Sequence, residues 1–252
     1  MPPGDRRWVD EGVRVDQGTS PVIELADGAG TAPWALVLLA LAGAVVGGLT
    51  GRALATGGYR VESDQAGAVP RHWWWPAVVL AALWAVLGWR IGDFAGWAAL
   101  PAFLYFGWLT VGLVWIDADV HRLPDGLVLP SYPALLVLVV VATAGLGDWW
   151  ALGRALACLA AMYAVYFVMM LLSPSSLGFG DVKLSGLIGL LLGWLGVSEA
   201  VVALMAGFLA GGLIALVMLV GRRVGMRSHI AFGPSMLVGA FVGVLVQYHV
   251  VA

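Results

Sequence analysis

The sequence predicts an all-α fold, a polytopic membrane helix bundle with about eight transmembrane helices. Three observations carry this. Of the 252 residues, 61% are hydrophobic and only 11% are charged, where a soluble domain carries about 25% charged residues. The mean hydropathy is +0.93, so lipid is the solvent for most of the chain. The apolar residues form continuous runs instead of alternating at every second position, which favours helices over a barrel.

The first 32 residues hold six acids (Asp5, Asp10, Glu11, Asp16, Glu24, Asp27) against three arginines (Arg6, Arg7, Arg14) and no sustained apolar period. Such a segment is expected to be a disordered tail. A cleaved secretory signal would place its apolar core directly after a short basic region. Here the first apolar run starts near Ala32, so a retained anchor is expected. With about 20 apolar residues needed per crossing, spans are expected at 33–50, 74–91, 94–116, 127–146, 150–172, 183–197, 199–220 and 230–250. The sixth is short, and its turn to the seventh is tight around Gly196 and Ser198. Three regions follow: the tail (1–32), two N-terminal spans with a short loop between them (33–93), and a core (94–252). Glycines inside the spans, such as Gly207, Gly211 and Gly212, read as close helix packing. Cys158, the single cysteine, lies in an apolar stretch, which excludes an internal disulfide and a paired-cysteine zinc site.

Loop arginines and lysines set the expected orientation. Loops after odd-numbered spans carry Arg52, Arg60, Arg71, Arg122, Lys183, Arg222, Arg223 and Arg227, against Arg90 and Arg154 after even-numbered ones. The odd loops are therefore expected in the cytoplasm, with both termini outside. Trp73, Trp74, Trp75, Trp149 and Trp150 cluster at span starts, where indole rings favour the headgroup region. A net charge of −2 without charge runs points to no nucleic-acid partner.

Charge at membrane depth is costly, so each acid near a span end calls for a reason. Acids cluster in W-I-D-A-D-V-H-R-L-P-D-G-L (115–127) and G-F-G-D-V-K-L (178–184), both on the expected cytoplasmic side. Asp117 directly follows the apolar end of the third span. Asp119 reads as a loop or interface acid. Asp125, after the helix-breaking Pro124, reads as the N-cap of the fourth span. In the second segment, Gly178 and Gly180 remove Cβ atoms that would keep another segment away. Asp181 opens a helix, where the macrodipole favours its charge, and Lys183 adds a positive field off that helix face. The plain alternative for this segment is a glycine turn with an aspartate N-cap. Two carboxylates brought together by bundle packing cannot both ionise easily, so they share a proton. One then activates water while the other, protonated, polarises a carbonyl, the aspartic-protease arrangement. That chemistry needs no metal and no cofactor. His72, His121, His229 and His249 are scattered over different loops.

Residues 117–125, D-A-D-V-H-R-L-P-D, resemble the first aspartate motif of the type IV prepilin peptidases: an Asp, six residues, then Pro-Asp. Residues 178–183, G-F-G-D-V-K, are similar to the family's second signature, GxGD followed by xK. I-A-F-G-P-S at 230–235 resembles the start of its last span. The resemblance covers about 94–250. It implies a GxGD aspartic endopeptidase of the bacterial cytoplasmic membrane, cleaving prepilin or pseudopilin leaders at the cytoplasmic surface. The cut would fall next to a glycine that precedes the pilin's apolar helix. It implies Asp117 and Asp181 as catalytic residues, Gly178, Gly180 and Lys183 in the active-site loop, and the prepilin and the bilayer as partners. Longer family members carry a domain with paired CxxC motifs between the first two spans and also N-methylate the mature pilin. Here that loop, 51–73, holds no cysteine, so a peptidase alone is expected.

Two other readings compete. Presenilin-like intramembrane proteases share GxGD, but carry Pro-Ala-Leu near the end where this chain has Gly233-Pro234-Ser235. A small proton- or cation-coupled transporter would carry acids in mid-span, whereas the acids of interest lie at one face.

Overall fold

The computed structural model describes residues 32–61, 72–94, 96–120, 122–172, 177–220 and 232–246. The acidic tail and the expectations for Arg71, His121, Arg222, Arg223, Arg227, His229 and His249 lie outside the described residues. Among those described, all regular structure is helical: α1 (Pro33–Ala55), α2 (Trp75–Phe94), α3 (Leu100–Val120), α4 (Asp125–Leu146), α5 (Trp149–Leu172), α6 (Phe179–Leu195), α7 (Val197–Val220) and α8 (Gly233–Leu245). The protein is a multi-pass membrane helix bundle, and α1, α2, α3, α4, α5 and α7 are long and apolar enough to cross a membrane.

Boundaries differ from expectation where capping and packing override the apolar run. Helix α1 continues to Ala55, because Gly51 packs on the Trp73 carbonyl and the Arg52 guanidinium lies 4.6 Å over the Trp73 ring. The third span begins at Leu100, not 94, after Gly96 turns the chain at φ 72°. It then runs on to Val120, so Asp117 and Asp119 lie inside its last turns and not beyond it. Helix α6 is 17 residues long and starts at Phe179, four residues ahead of the expected sixth span.

Two helices form the interior. In α3, 72% of the apolar stretch is buried, against 22–33% in the other five long helices. Helix α6 is buried at nearly every position from Leu184 to Leu195 and packs on α4, α5, α7 and α8. A helix so enclosed meets protein on every side, so its length need not match the bilayer.

Small residues bring the outer helices into backbone contact, as expected where lipid tails give no hydrophobic drive between helices. On α1, Gly43, Gly47 and Gly51 recur every four residues. A Cβ at each would strike the carbonyl oxygen of Leu80, Pro76 or Trp73 respectively. Gly189 of α6 lies on the Cys158 backbone of α5, and Gly239 of α8 on Ala203 and Gly207 of α7. Polar side chains lock the layers. The Trp108 indole donates to Thr50 Oγ1 (2.9 Å), Trp84 to the Leu104 carbonyl (3.0 Å) and Trp194 to Thr143 Oγ1 (2.9 Å). Arg154 donates to the carbonyls of Gly193, Trp194 and Leu195 at 2.9, 2.7 and 3.0 Å, satisfying the end of α6. Pro130 and Pro133 interrupt the hydrogen-bond ladder of α4, and Ser131 Oγ donates to the Leu127 carbonyl (2.7 Å) beside them.

Candidate active site

Helix α3 ends and helices α6 and α8 begin at one end of the bundle, and each contributes to one small volume. Asp117 comes from the last turn of α3 and is buried at 5% exposure. Asp181 comes from the first turn of α6. Gly233 opens α8 next to Pro234, which suits a first helical turn because its missing N–H would be an orphan there. A Cβ built on Gly233 would stand 3.6 Å from Asp117 Oδ2, 3.6 Å from Asp181 Oδ1 and 3.6 Å from Leu123 Cδ2. The two carboxylate oxygens are therefore within twice that distance of each other. Gly233 leaves the space between them open.

Asp181 is not an N-cap. Gly178 holds that position, and the Asp181 carboxylate reaches back so that Oδ2 accepts the Gly178 N–H at 3.2 Å. This is the reciprocal half of a capping box, with the acid at the third helical position. It leaves Oδ1 directed toward Gly233 and Asp117. Asp181 lies outside the six long apolar helices. Burial pushes its carboxyl up to about 6, the Gly178 N–H pulls the other way, and the charge of Asp117 adds to the rise. The positive ends of α6 and α8 converge on the pair, which favours negative charge between them.

The two glycines of the loop differ. A Cβ on Gly180 would come 2.9 Å from Leu123 Cβ, so its absence lets the 122–124 segment close over the site. A Cβ on Gly178 would meet Asp181 Oδ2 at 3.6 Å, an ordinary contact, so close approach gives no reason for that glycine. Lys183 does not face the pair. Its Nζ donates to Asp125 Oδ1 at 2.6 Å and lies 4.7 Å over the Phe179 ring. This corrects the reading of Asp125 as an N-cap. Pro124 caps α4 through its carbonyl, and Asp125 is a first-turn acid whose carboxylate binds Lys183.

Asp119 turns away from Asp117. It is fully buried and accepts the Tyr59 hydroxyl at 2.6 Å on Oδ2, Arg60 Nε at 2.7 Å on Oδ2 and Arg60 Nη2 at 2.6 Å on Oδ1. His72 sits by Trp74, with ring centroids 5.9 Å apart.

Three residues at the site escape a reading of the sequence as catalytic groups. Gly233 lies in the F-G-P run that stands out as a likeness only. Leu123 carries no signal beyond preceding a proline. Tyr166 is a lone phenol in an apolar run. It is 1% exposed, stacks 5.6 Å from Phe208, packs 6.3 Å from Phe232 and lies within electrostatic reach of Asp181.

Residues 103–220 match the model of the type IV leader peptidase family. Curated relatives named prepilin leader peptidase/N-methyltransferase include that of Aeromonas hydrophila, 30% identical over 152 residues, covering 60% of this chain and 50% of the relative. The Neisseria gonorrhoeae relative is 29% identical over 177 residues, 66% of this chain and 54% of its own length. That of Pseudomonas aeruginosa is 30% identical over 179 residues, 68% and 58%. The chain spans about half the length of the curated relatives it matches. No solved structure matches it.

Proposed function

Because residues 103–220 match the model of the type IV leader peptidase family, we propose that the chain is a membrane aspartic endopeptidase that removes the leaders of prepilins or pseudopilins. Asp117 and Asp181 are the catalytic pair in this reading. The observation that carries it is the approach of both carboxylates to the open space at Gly233. A water held between them gives up a proton to the ionised carboxylate as it attacks the scissile carbonyl. The protonated partner donates to the carbonyl oxygen, and the proton on the first carboxylate then passes to the leaving amine. The pair holds one proton between its members and titrates as a unit.

The substrate enters as an extended segment followed by an apolar helix, at the face where Arg60, Arg122 and Lys183 gather. By the arginine and lysine bias of the loops, that face is cytoplasmic, in a bacterial inner membrane, with the N-terminus outside. Gly180 and Lys183 shape the rim, while the Gly178 N–H donates to Oδ2 of the Asp181 carboxylate and holds it in place. The proposal covers leader removal alone, since residues 56–74, between α1 and α2, hold no cysteine with which to build a paired-cysteine domain. Asp117→Asn and Asp181→Asn are each expected to abolish leader removal from a co-expressed prepilin while the chain still accumulates in the membrane. Continued processing by either variant would refute the assignment.

A further inference from the structure

Helix ends fray because their last carbonyls lack partners within the helix. Asp117 sits in such an end, three residues before Val120 closes α3. A carboxylate there reaches one point in space only if the turn that bears it is held in rotation. The loop after α1 makes that hold. Its Tyr59 hydroxyl and the guanidinium of Arg60 grip both oxygens of buried Asp119. The Trp115 indole donates to the same Tyr59 hydroxyl at 3.2 Å, and Arg122 Nη2 donates to the Tyr59 carbonyl at 3.4 Å. Trp115 and Asp119 bracket Asp117 by two residues on each side, and Arg122 follows. Successive α-helical residues turn by about 100°, so Asp119 faces the loop while Asp117 faces α6 and α8. Planar bidentate contact by arginine fixes direction as well as distance.

We infer that Tyr59 and Arg60 are positioning residues, a clasp that sets the rotation of the last turn of α3 and thereby the aim of Asp117 at the space beside Gly233. This rests on the proposed peptidase reading for its consequence, but its geometry stands apart from it. The clasp does not touch substrate. Loosening it therefore lowers the rate of the chemical step and leaves binding as it was.

Two measurements on the purified full-length chain in detergent test it. The first is leader removal from a purified prepilin. Arg60→Ala is expected to lower kcat at least tenfold with KM within twofold of wild type. Arg60→Ala combined with Asp119→Asn is expected to be no slower than Arg60→Ala alone, because both changes break one unit. Arg60→Lys, which keeps the charge but loses the planar fork, recovers only part of the rate. Wild-type kcat in Arg60→Ala, a change confined to KM, or multiplying effects in the double variant would each overturn the inference. Should Arg60→Ala fail to accumulate, Tyr59→Phe removes one bond to Asp119 and keeps the arginine; a kcat lowered severalfold at unchanged KM supports the clasp, and an unchanged kcat overturns it. The second measurement is cleavage by trypsin after Arg60, read by mass spectrometry. Asp119→Asn releases the guanidinium and is expected to speed that cut at least tenfold, whereas equal rates would overturn the clasp. If wild type itself removes no leader, the proposed function fails, and the trypsin rates still decide the clasp.

Discussion

Replacing Gly233 with alanine adds one methyl group at the most informative point in the molecule. Its carbon would lie 3.6 Å from Asp117 Oδ2, Asp181 Oδ1 and Leu123 Cδ2, and no nearer to any atom outside its own chain neighbourhood. Those are ordinary van der Waals distances. The backbone at 233 is not in the left-handed region, where the described glycines are Gly57, Gly96 and Gly147. Folding therefore has little to resist, and the stiffer unfolded chain returns about 0.4–1 kcal/mol. The stability of Gly233→Ala is expected to stay within about 1 kcal/mol of wild type. Catalysis has much to lose. A reacting water needs oxygen contacts of about 2.8 Å, and a methyl between the two carboxylates occupies its place without donating or accepting a hydrogen bond. Displacement of the nucleophile by even about 1 Å costs roughly 10²-fold, so kcat/KM is expected to fall at least about 10²-fold, or about 2.7 kcal/mol of barrier. The assay is in vitro leader removal from a purified prepilin, with thermal unfolding of the same preparation. A wild-type rate at unchanged melting temperature would refute the argument that the reaction occurs between these carboxylates. A collapsed melting temperature would instead make Gly233 a packing glycine.

The Asp181 carboxyl, raised in the fold to about 6 from 3.8, makes the folded state bind more protons than the unfolded chain between those values. Stability from this group is thus present at low pH and lost as pH rises through about 6, by up to roughly 3 kcal/mol. Asp181→Asn is expected to raise the melting temperature at pH 7.5 and to lose that advantage near pH 4; a melting curve with no such pH dependence would refute it. At the α5–α6 crossing, a Cβ on Gly189 would come 2.5 Å from the Cys158 carbonyl oxygen, 2.9 Å from its carbon and 3.0 Å from Leu159 Cα, all backbone. Gly189→Ala is expected to cost about 1–3 kcal/mol, while Gly153→Ala on α5, with nothing within 4 Å, costs nothing; equal melting temperatures for the two would count against close packing at that seam.

Helix positions were legible because a backbone in lipid must satisfy its own hydrogen bonds, so each apolar run commits locally to a helix. The two aspartates were legible because acids at the edge of such runs are rare and costly. Legibility stopped where the deciding contact lies far along the chain. Position and motif spacing set Asp117 apart from Asp119 in the sequence, but neither names the partner that each carboxylate meets. Only the rotation of α3 sends one toward α6 and the other to Arg60, 59 residues away. Asp125 has the sequence position of a cap, yet its carboxylate goes to Lys183, 58 residues on.

By itself, then, the sequence determined an all-helical membrane bundle and the residues able to do acid–base chemistry, since hydropathy and local hydrogen bonding are properties of short segments. Tertiary structure alone decided that α3 and α6 are the interior helices and that their carboxylates meet at Gly233. It also decided that a loop from α1 holds the neighbouring acid. Those outcomes depend on which backbones can touch, and that is set by glycines on helices whose partners no local pattern names.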